Sequence, residues 1–320
     1  MTLVLSAQLF WATDIIILGD NLKEIIELCK ELNISYNENE AMSKHTTFKI
    51  GGPAKLMVYP ENEEQISRII KECNKIGQRY IVVGNGSNLL VDDGGIDAVV
   101  IQLGKDFGKV SLIDDTTVFA QAGAQLMKVC RIALENSLSG LEFAYGIPGS
   151  CGGAAFMNAG AYGGEMKDVL YRCDHLDSNG EKGFLTGKEL KLGYRHSAYY
   201  DNGCIVTGLY MKLKKGDSNE IKAKMEDFIS RRKAKQPLEY PSAGSTFKRP
   251  EGYFAGALIE ECNLKGLQIG GAQVSEKHAG FVINKDNASC KDVLELCKKV
   301  SDTVKAEKGV NLEMEIRVTK

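Results

Sequence analysis

The chain has 320 residues, of which 43% are hydrophobic and 26% charged, and its formal net charge is -2. These values are typical of a globular protein long enough for more than one domain, and they exclude a disordered or fibrous chain. A nearly neutral chain has no general electrostatic attraction for nucleic acid or for a membrane surface. We therefore expect small-molecule partners, no nucleic acid and no membrane, and we expect a monomer.

The nine cysteines and four histidines show no pattern of a disulfide framework or a metal site. No CxxC pair occurs, and several cysteines fall at apolar positions of helical patterns, where a thiol serves as a small core side chain. Free thiols are typical of a reducing compartment. The sequence therefore predicts a cytoplasmic protein without a bound metal.

Residues 1–18 are unusually apolar. They lack the basic region of a signal peptide, since the first lysine is Lys23, and Asp14 leaves the apolar run too short for a membrane span. We interpret residues 1–19 as an atypical N-terminal extension, whose role the sequence does not reveal.

Helices and strands alternate through the first part of the chain. Apolar residues recur at helical spacing over 20–33 and again over 62–77, where Gly77 ends the helix. A strand at 56–59 precedes the second helix, and the apolar strand of RYIVVGNGSNLLV follows it. This order predicts a βαβ-type unit.

Short strands come next, within AVVIQL and TVFAQAG, before a helix over 124–137. Strands dominate again over 169–213. A strongly charged helix over 218–235 then ends before Pro237. The polarity of this helix indicates a domain boundary at its end.

The C-terminal part resumes a mixed pattern. Helices over 254–262 and 291–307 flank strands around 267–284. The final segment, LEMEIRVTK, alternates as a half-buried strand does, with Glu315 on its polar face. A lone glutamate at such a position is typically solvated.

The stretch from Gly140 to Gly164, GLEFAYGIPGSCGGAAFMNAGAYGG, holds 8 of the 34 glycines. Each glycine inside a helix costs roughly 0.5–1 kcal/mol relative to alanine, so we predict no ordinary helix here, and the stretch does not alternate as a strand would. It is either a tight crossover packed on a sheet or a cradle for a phosphate-bearing or flat aromatic cofactor. Because it contains no Lys or Arg, we expect backbone amides or helix ends, rather than salt bridges, to hold any anion bound there.

A second glycine-containing segment, VVGNGSNLLV at 82–91, follows a predicted strand. Leu89 stands where the dinucleotide fingerprint GxGxxG needs its third glycine, which excludes a Rossmann site. No GK[ST] follows either segment, which excludes a P-loop. The segment is either a plain turn or a strand end whose amides, with Ser87 and Asn88, face a ligand.

Two polar motifs lie further along the chain. YRHSAYY places Arg195 among aromatic residues, where it either stacks on a ring at the surface or, if desolvated, binds a carboxylate. AGSTFKRP places Ser245 after Gly244. This serine is either a turn residue or a reactive hydroxyl, although the GxSxG pattern of a nucleophile elbow is absent.

Taken together and in order, these motifs resemble the UDP-N-acetylenolpyruvoylglucosamine reductases, FAD-dependent enzymes of bacterial cell-wall precursor synthesis. The motifs are GNGSNLLV, GIPGSCGGAAFMNAGAYGGE, YRHS, PSAGSTFKRP, HAGFVIN and LEMEIR, and the resemblance covers residues 20–320. It implies an α+β fold with an FAD-binding domain of the vanillyl-alcohol-oxidase (PCMH) type and a smaller C-terminal α+β substrate-binding domain.

The resemblance also implies limits for these domains. The FAD-binding domain would comprise a first subdomain at 20–79, completed by the C-terminal strand 312–320, and a second at 80–236. The substrate-binding domain would occupy 237–311. Only 49 residues separate Arg195 from Ser245, too few for the tyrosine-bearing loop of one subclass. The chain therefore resembles the subclass without that loop, which leaves open the residue that covers the substrate pyrophosphate.

The resemblance further implies non-covalent FAD as cofactor, NADPH as the hydride-donating co-substrate, and a set of site residues. The catalytic residues implied are Arg195, Ser245 and Glu315. The substrate-binding residues implied are Tyr194, Lys235, Arg249 and His278. The FAD-binding residues implied are Val83, Gly84, Asn85, Gly86, Ser87, Asn88, Gly146, Pro148, Gly149, Gly152, Gly153, Ala154, Asn158, Gly160 and Ala161.

The implied reaction reduces UDP-N-acetylglucosamine enolpyruvate to UDP-N-acetylmuramate and consumes NADPH. Hydride is added at the enolpyruvyl β-carbon, Arg195 stabilises the resulting charge, and Ser245 protonates the α-carbon. Lys248 and Arg249 are candidates to assist that proton transfer. Glu315 acts either as a buried protonated acid or as a carboxylate that orients Arg195. Two other classes stay open: a flavin-dependent oxidase on the same cofactor fold and a non-catalytic nucleotide-sugar-binding protein.

Overall fold

A computed structural model describes residues 22–320, so the predicted extension at 1–19 and the predicted start of the first helix at Asp20 lie outside the described residues. The described residues form a mixture of helices and short strands, as the α+β prediction requires. The α-helices are α1 (Leu22–Glu31), α2 (Glu63–Lys75), α3 (Leu126–Glu135), α4 (Cys151–Phe156), α5 (Ala198–Asn202), α6 (Ser218–Lys235), α7 (Ala255–Glu261) and α8 (Cys290–Lys308). The strands are β1 (Ser35–Ala41), β2 (Pro53–Tyr59), β3 (Tyr80–Val83), β4 (Leu89–Val91), β5 (Ile96–Gln102), β6 (Val110–Asp114), β7 (Thr117–Gln121), β8 (Leu138–Ser139), β9 (Gly160–Ala161), β10 (Gly164–Glu165), β11 (Leu170–Leu176), β12 (Lys182–Thr186), β13 (Ile205–Lys212), β14 (Lys214–Lys215), β15 (Gln268–Ile269), β16 (Ala272–Val274), β17 (Val282–Asn284) and β18 (Arg317–Thr319).

The first sheet has the strand order β1-β2-β5-β3 and contains the predicted βαβ unit. Strands β2 and β3 both run parallel to β5, and α2 connects them. Asn62 caps the start of α2, since its side chain accepts a hydrogen bond from the Gln65 amide, and the helix buries an isoleucine face on the sheet. Each isoleucine buried in this way contributes roughly 1.5–3 kcal/mol. Because β3 and β5 lie beyond residue 79, this sheet crosses the predicted subdomain limit; the domain limits stay a prediction.

The second sheet is antiparallel, with the order β12-β11-β13-β7-β6, and the glycine-rich stretch crosses it. The stretch is not one ordinary helix, as predicted, but it contains the six-residue α4, which its glycine content did not predict. A Cβ at Gly152 would lie 2.8 Å from the Cβ of Ala122, which directly follows β7, so glycine allows α4 to approach the end of this strand closely. Burial of Cys151 and Ala155 against the sheet compensates for the poor helix propensity of glycine.

The third sheet, β15-β16-β17, packs with α7 and α8 in the C-terminal part. The hydrophobic core of this part also takes in Phe48, Ile50 and Leu90 from the N-terminal part. Asp93 accepts hydrogen bonds from the backbone amides of the first two residues of α8. These contacts fix the C-terminal part against β4 and the loops that precede β2 and β5.

The C-terminal segment is less regular than predicted. Only Arg317–Thr319 form a strand, which pairs in parallel with β4, while Met314 forms an isolated bridge to Phe247. The predicted alternation of buried apolar residues holds at Ile316 but fails at Val318, which is 42% exposed. The segment therefore changes partners midway, from the segment containing Ser245 to β4.

Candidate active site

Two cavities share a wall in the space between the sheets and the C-terminal part. The larger has a volume of about 740 Å³ and the smaller about 620 Å³. Residues that line both cavities include Arg195, Ser245, Glu315 and His278. The three residues predicted to be catalytic thus meet at one junction, although they come from distant parts of the chain.

The larger cavity brings together the two glycine-containing segments. Strand β3 leads through the GNGSN turn into β4 rather than into a helix, as the missing third glycine predicts. The Asn85 side chain donates to the Pro148 carbonyl at 3.2 Å, and a Cβ at Gly84 would clash with the Ser150 hydroxyl. Both segments line the cavity, so the glycine-rich stretch is a crossover on the sheet and a cavity wall at once.

The predicted FAD-binding residues line the larger cavity with two exceptions. A Cβ at Gly146 would lie 2.6 Å from Ile229 of α6, so this glycine, with φ of 99°, permits packing of the helix instead. Asn158 lines the smaller cavity and is buried. The Asn88 side chain lines the larger cavity but donates to the Glu315 carbonyl at 3.1 Å, which ties the GNGSN turn to the C-terminal segment.

Basic residues missed by the sequence analysis also line the larger cavity. Arg232 of α6 and Arg317 of β18 join the predicted Lys235 there, so an anion in this cavity can meet basic side chains as well as the backbone amides expected in the glycine-rich stretch. Burial lowers the pKa of Arg232, and no carboxylate pairs with it within residues 22–320. In a helix as charged as α6, the sequence offers no signal that separates this arginine from its solvated neighbours.

The same cavity contains a buried polar atom that lacks a partner. Oε1 of Gln236 has no hydrogen-bond partner among the described residues, although buried polar atoms are nearly always paired. A cavity with bare glycine backbone, an unpaired guanidinium and an unpaired amide oxygen fits a large ligand that carries both phosphates and a polar ring. FAD has this chemistry.

Arg195 lies in a tight turn and reaches the C-terminal segment. Its backbone has φ of 52°, a left-handed conformation that is uncommon for a residue with a side chain. Its Nε donates to Oε1 of Glu315 at 2.6 Å. The Glu315 side chain is only 8% exposed, so it is not solvated as a lone glutamate on the polar face of a strand typically is. Burial raises the pKa of Glu315, while the Arg195 charge acts in the opposite direction.

Backbone pairing places Ser245 next to Glu315. The Glu315 amide donates to the Thr246 carbonyl at 2.8 Å, and the Lys248 amide donates to the Glu313 carbonyl at 2.8 Å. Gly244, with φ of 79°, supplies the turn that directs Ser245 into the junction. The predicted assistant Lys248 pairs with the Glu313 side chain and lines neither cavity.

The predicted substrate-binding residues divide between the cavities. Tyr194 and Arg249 line the smaller one, where the Tyr194 hydroxyl accepts from the Arg249 amide at 3.0 Å and the Arg249 guanidinium lies 4.6 Å from the Phe254 ring centre. Lys235 lines the larger cavity instead. His278 lines both, its Nδ1 accepts from the Gly280 amide at 3.1 Å, and burial lowers its pKa. The neutral imidazole therefore carries its proton on Nε2.

Within residues 22–320, no group of three or more His, Cys, Asp or Glu side chains is placed to hold a metal ion. No helix in this range combines the length and apolar character needed to cross a bilayer. All nine cysteines are free thiols, and all but Cys204 are buried.

Comparison with known proteins agrees with this geometry. Residues 54–182 match the FAD binding domain family, and residues 236–319 match the family described as the UDP-N-acetylenolpyruvoylglucosamine reductase C-terminal domain. The predicted fold class, with an FAD-binding domain and a smaller C-terminal domain, is confirmed.

Individual relatives match along nearly the whole chain. The UDP-N-acetylenolpyruvoylglucosamine reductase of Clostridium perfringens is 50% identical over 302 residues, which cover 93% of this chain and 99% of the relative. That of Syntrophomonas wolfei is 50% identical over 280 residues, 88% of this chain and 93% of the relative. The crystal structure of the reductase from Thermus caldophilus superposes with a TM-score of 0.77 and 37% identity, and the match covers 90% of this chain and 99% of that one. With this identity and coverage, the chain belongs to the UDP-N-acetylenolpyruvoylglucosamine reductase (MurB) family.

Proposed function

We propose that this protein reduces UDP-N-acetylglucosamine enolpyruvate to UDP-N-acetylmuramate in bacterial peptidoglycan precursor synthesis, with FAD as cofactor and NADPH as reductant. The observation that carries the proposal is the junction of the two cavities, where Arg195, Ser245 and Glu315 face a common space. FAD would occupy the larger cavity and the enolpyruvyl end of the nucleotide sugar the smaller one.

The residues that would hold FAD belong to the GNGSN turn and the glycine-rich stretch, together with Arg232 and Gln236. The backbone amides and the arginine suit phosphates or an electron-rich ring edge, and the unpaired Gln236 oxygen suits a ring N–H. FAD bound there would supply the redox chemistry that transfers a hydride from NADPH to the β-carbon of the enolpyruvyl group. The chain's own residues then handle the charge and the proton.

Arg195 is the electrophilic residue of this proposal. Addition of hydride at the β-carbon leaves negative charge on the α-carbon and its carboxylate. A permanent cation held in a partly buried site stabilises that charge far better than a cation screened by bulk water does. The Arg195 side chain is 24% exposed and fixed by Glu315. We infer that Glu315 acts as a carboxylate orienting Arg195, because its oxygen accepts directly from the guanidinium.

Ser245 is the proton donor in this proposal. A serine hydroxyl has an unperturbed pKa far above neutral, so its transfer to the α-carbon needs nearby positive charge or a water relay. Arg195 and His278 line the same junction, whereas Lys248 is paired elsewhere. Arg195, rather than Lys248, is therefore the cation placed to assist the transfer.

The substrate side of the proposal uses Tyr194, Arg249, His278 and Lys235. Arg249 lines the smaller cavity and offers a cation for a phosphate or carboxylate, and the neutral His278 offers its Nε2–H as a donor. Lys235 lines the larger cavity and would reach the nucleotide sugar from that side. Free thiols are typical of a reducing compartment and favour a cytoplasmic location. We also propose a monomer, which size-exclusion chromatography tests.

Anaerobic spectroscopy of the purified protein tests the proposed function. We expect a yellow protein with one FAD per chain that acid precipitation releases. NADPH should bleach the flavin under argon, and UDP-N-acetylglucosamine enolpyruvate should restore the colour with formation of UDP-N-acetylmuramate. Rapid reoxidation by O₂, with no response to the enolpyruvyl sugar, would favour the flavin-dependent oxidase. A colourless, folded protein that takes up no FAD would favour the binding protein.

A further inference from the structure

Asn158, which lies just after α4, uses its side-chain amide entirely within the protein. Its Nδ2 donates to the Gly193 carbonyl and to Oε2 of Glu165, both at 2.8 Å, and its Oδ1 accepts from the Lys167 amide at 2.9 Å. Asn158 is 1% exposed. Since both N–H donors are in use, this amide has no free donor for the FAD contact that the family resemblance implies.

The bond to Gly193 reaches the turn that carries Arg195. Gly193 and His196 exchange backbone hydrogen bonds of 3.0 and 3.2 Å, and Arg195 between them has φ of 52°. A left-handed conformation costs a residue with a side chain roughly 1–2 kcal/mol, so contacts outside the turn must maintain it. The Gly193 carbonyl accepts from Asn158 as well as from His196, which is such a contact.

A second contact holds the other side of the same turn. Ser197 directly follows His196, is 0% exposed, and donates from its hydroxyl to the Phe156 carbonyl at 2.8 Å. Phe156 is the last residue of α4, two positions before Asn158. The glycine-rich stretch that lines the larger cavity therefore forms hydrogen bonds to both ends of the turn that carries Arg195.

The bond to Glu165 has a separate consequence for Arg195. Glu165 lies close enough for the Arg195 charge to contribute to lowering its pKa. Oε2 of Glu165 is occupied by Asn158 at 2.8 Å and by Lys167 at 2.9 Å. These bonds restrain a carboxylate that would otherwise compete with Glu315 for the guanidinium.

We propose that Asn158 is a positioning residue for Arg195, through its hydrogen bonds to the Gly193 carbonyl and to Glu165. The inference rests on the proposed role of Arg195 in stabilising charge on the substrate. Asn158 fixes the backbone of the turn and keeps Glu165 away, and both effects set the direction from which Arg195 reaches Glu315 and the substrate. Ser197 supports the same turn from its other end.

The test is Asn158→Gly, because glycine adopts φ of 43° without strain and only the amide is lost. We expect FAD affinity of the apo-protein and flavin reduction by NADPH to stay within about 3-fold of wild type, while reoxidation by the enolpyruvyl sugar slows roughly 10- to 100-fold, as misplacement of a catalytic group does. Asn33→Gly is the matched control, since Asn33 is also left-handed, with φ of 53°, but exposed at the end of α1. It should change neither half-reaction.

A double substitution separates this inference from the proposed function. Arg195→Gln alone should slow the substrate half-reaction, and adding Asn158→Gly should slow it less than about 3-fold further, because no guanidinium remains to be positioned. If Arg195→Gln has no effect, the proposed function of Arg195 fails. Suppose instead that Arg195→Gln slows the substrate half-reaction as expected. The inference about Asn158 is then overturned if the fold-reductions of the two substitutions multiply in full in the double variant. It is also overturned if Asn158→Gly weakens FAD binding and slows flavin reduction by NADPH as much as it slows the substrate half-reaction. Should Asn158→Gly fail to fold, Ser197→Ala must slow the same half-reaction selectively, and an unchanged rate would overturn the inference.

Discussion

Arg195 and Glu315 form a hydrogen-bonded ion pair, with 2.6 Å between Nε and Oε1, although 120 positions separate them in the chain. Arg195 is held by a turn against the glycine-rich stretch, and Glu315 is held by the backbone of the segment containing Ser245. The pair therefore joins the wall of the larger cavity to the segment that carries the proposed proton donor. Removing either charge should affect chemistry on the substrate more than binding of FAD.

We expect Glu315→Gln to slow reoxidation of the reduced flavin by the enolpyruvyl sugar by at least about 10-fold. The amide oxygen still accepts from Arg195, but without its charge it holds the guanidinium less firmly, and small misplacements of a catalytic group are costly. Stopped-flow absorbance of the flavin measures this rate. Glu313→Gln is the control two positions away, since the Glu313 side chain is 73% exposed and pairs with Lys248. Near-normal activity of Glu315→Gln would instead mean that Glu315 works as a protonated acid.

Glu315→Gln should also change how the stability of the protein depends on pH, with a stability relative to wild type that increases as the pH rises. Burial raises the pKa of Glu315 in the folded protein above its ordinary value of 4.5. The native state then binds this proton more tightly than the unfolded chain does, so the stability that the protonated group provides is lost as the pH rises through the folded pKa. Glu315→Gln removes that loss. We expect its Tm, relative to wild type, to increase from pH 4.5 to pH 8 in calorimetry of the apo-protein. A Tm difference that falls with pH would show that the Arg195 charge outweighs burial.

Two neighbouring glycines of α4 should respond differently to substitution by valine. A Cβ at Gly152 would meet Ala122 at 2.8 Å, so Gly152→Val should destabilise the apo-protein by roughly 1–3 kcal/mol, as overpacking does. Gly153 is exposed, lines the larger cavity and has only the Ser150 hydroxyl within 4 Å of its Cβ position. Gly153→Val should therefore preserve the Tm of the apo-protein but weaken FAD binding at least about 10-fold, because the added side chain occupies ligand space. Thermal unfolding and FAD titration distinguish the two outcomes. Intact FAD binding in Gly153→Val would place the cofactor away from α4.

Sequence reasoning succeeded where one local pattern fixes the outcome. Helix α6 spans Ser218–Lys235, the same limits that its charged pattern and Pro237 predict, and the exclusion of a Rossmann site followed from Leu89 alone. The three catalytic residues came from a family resemblance rather than from periodicity. The structure adds that they meet at one junction of two cavities.

Sequence reasoning failed where the outcome depends on a tertiary partner. Helix α4 forms in spite of its glycines, because its small face packs on the second sheet. Asn158 resembled a ligand contact by its position in the motif, but the partners that occupy its amide lie 7 to 35 positions away. Arg232 resembled its solvated neighbours, and only the fold reveals that it lines the larger cavity. A sequence pattern records residue types and not the groups that these distant contacts supply.

Ser245→Ala should separate the two half-reactions. Flavin reduction by NADPH does not involve protonation of the enolpyruvyl α-carbon, which is the proposed role of Ser245. We therefore expect the rate of this step to stay within a few fold of wild type. Reoxidation by the enolpyruvyl sugar should slow by roughly 10²-fold or more, in the range for loss of a positioned proton donor. Stopped-flow measurement of each step under argon gives both rates. Thr47→Ala is a useful control, because its hydroxyl bonds the Ser242 carbonyl at 2.7 Å and supports the same segment without lining either cavity. If Ser245→Ala slowed both steps equally, as a loosened segment would, Ser245 would hold the site together and another group would have to donate the proton.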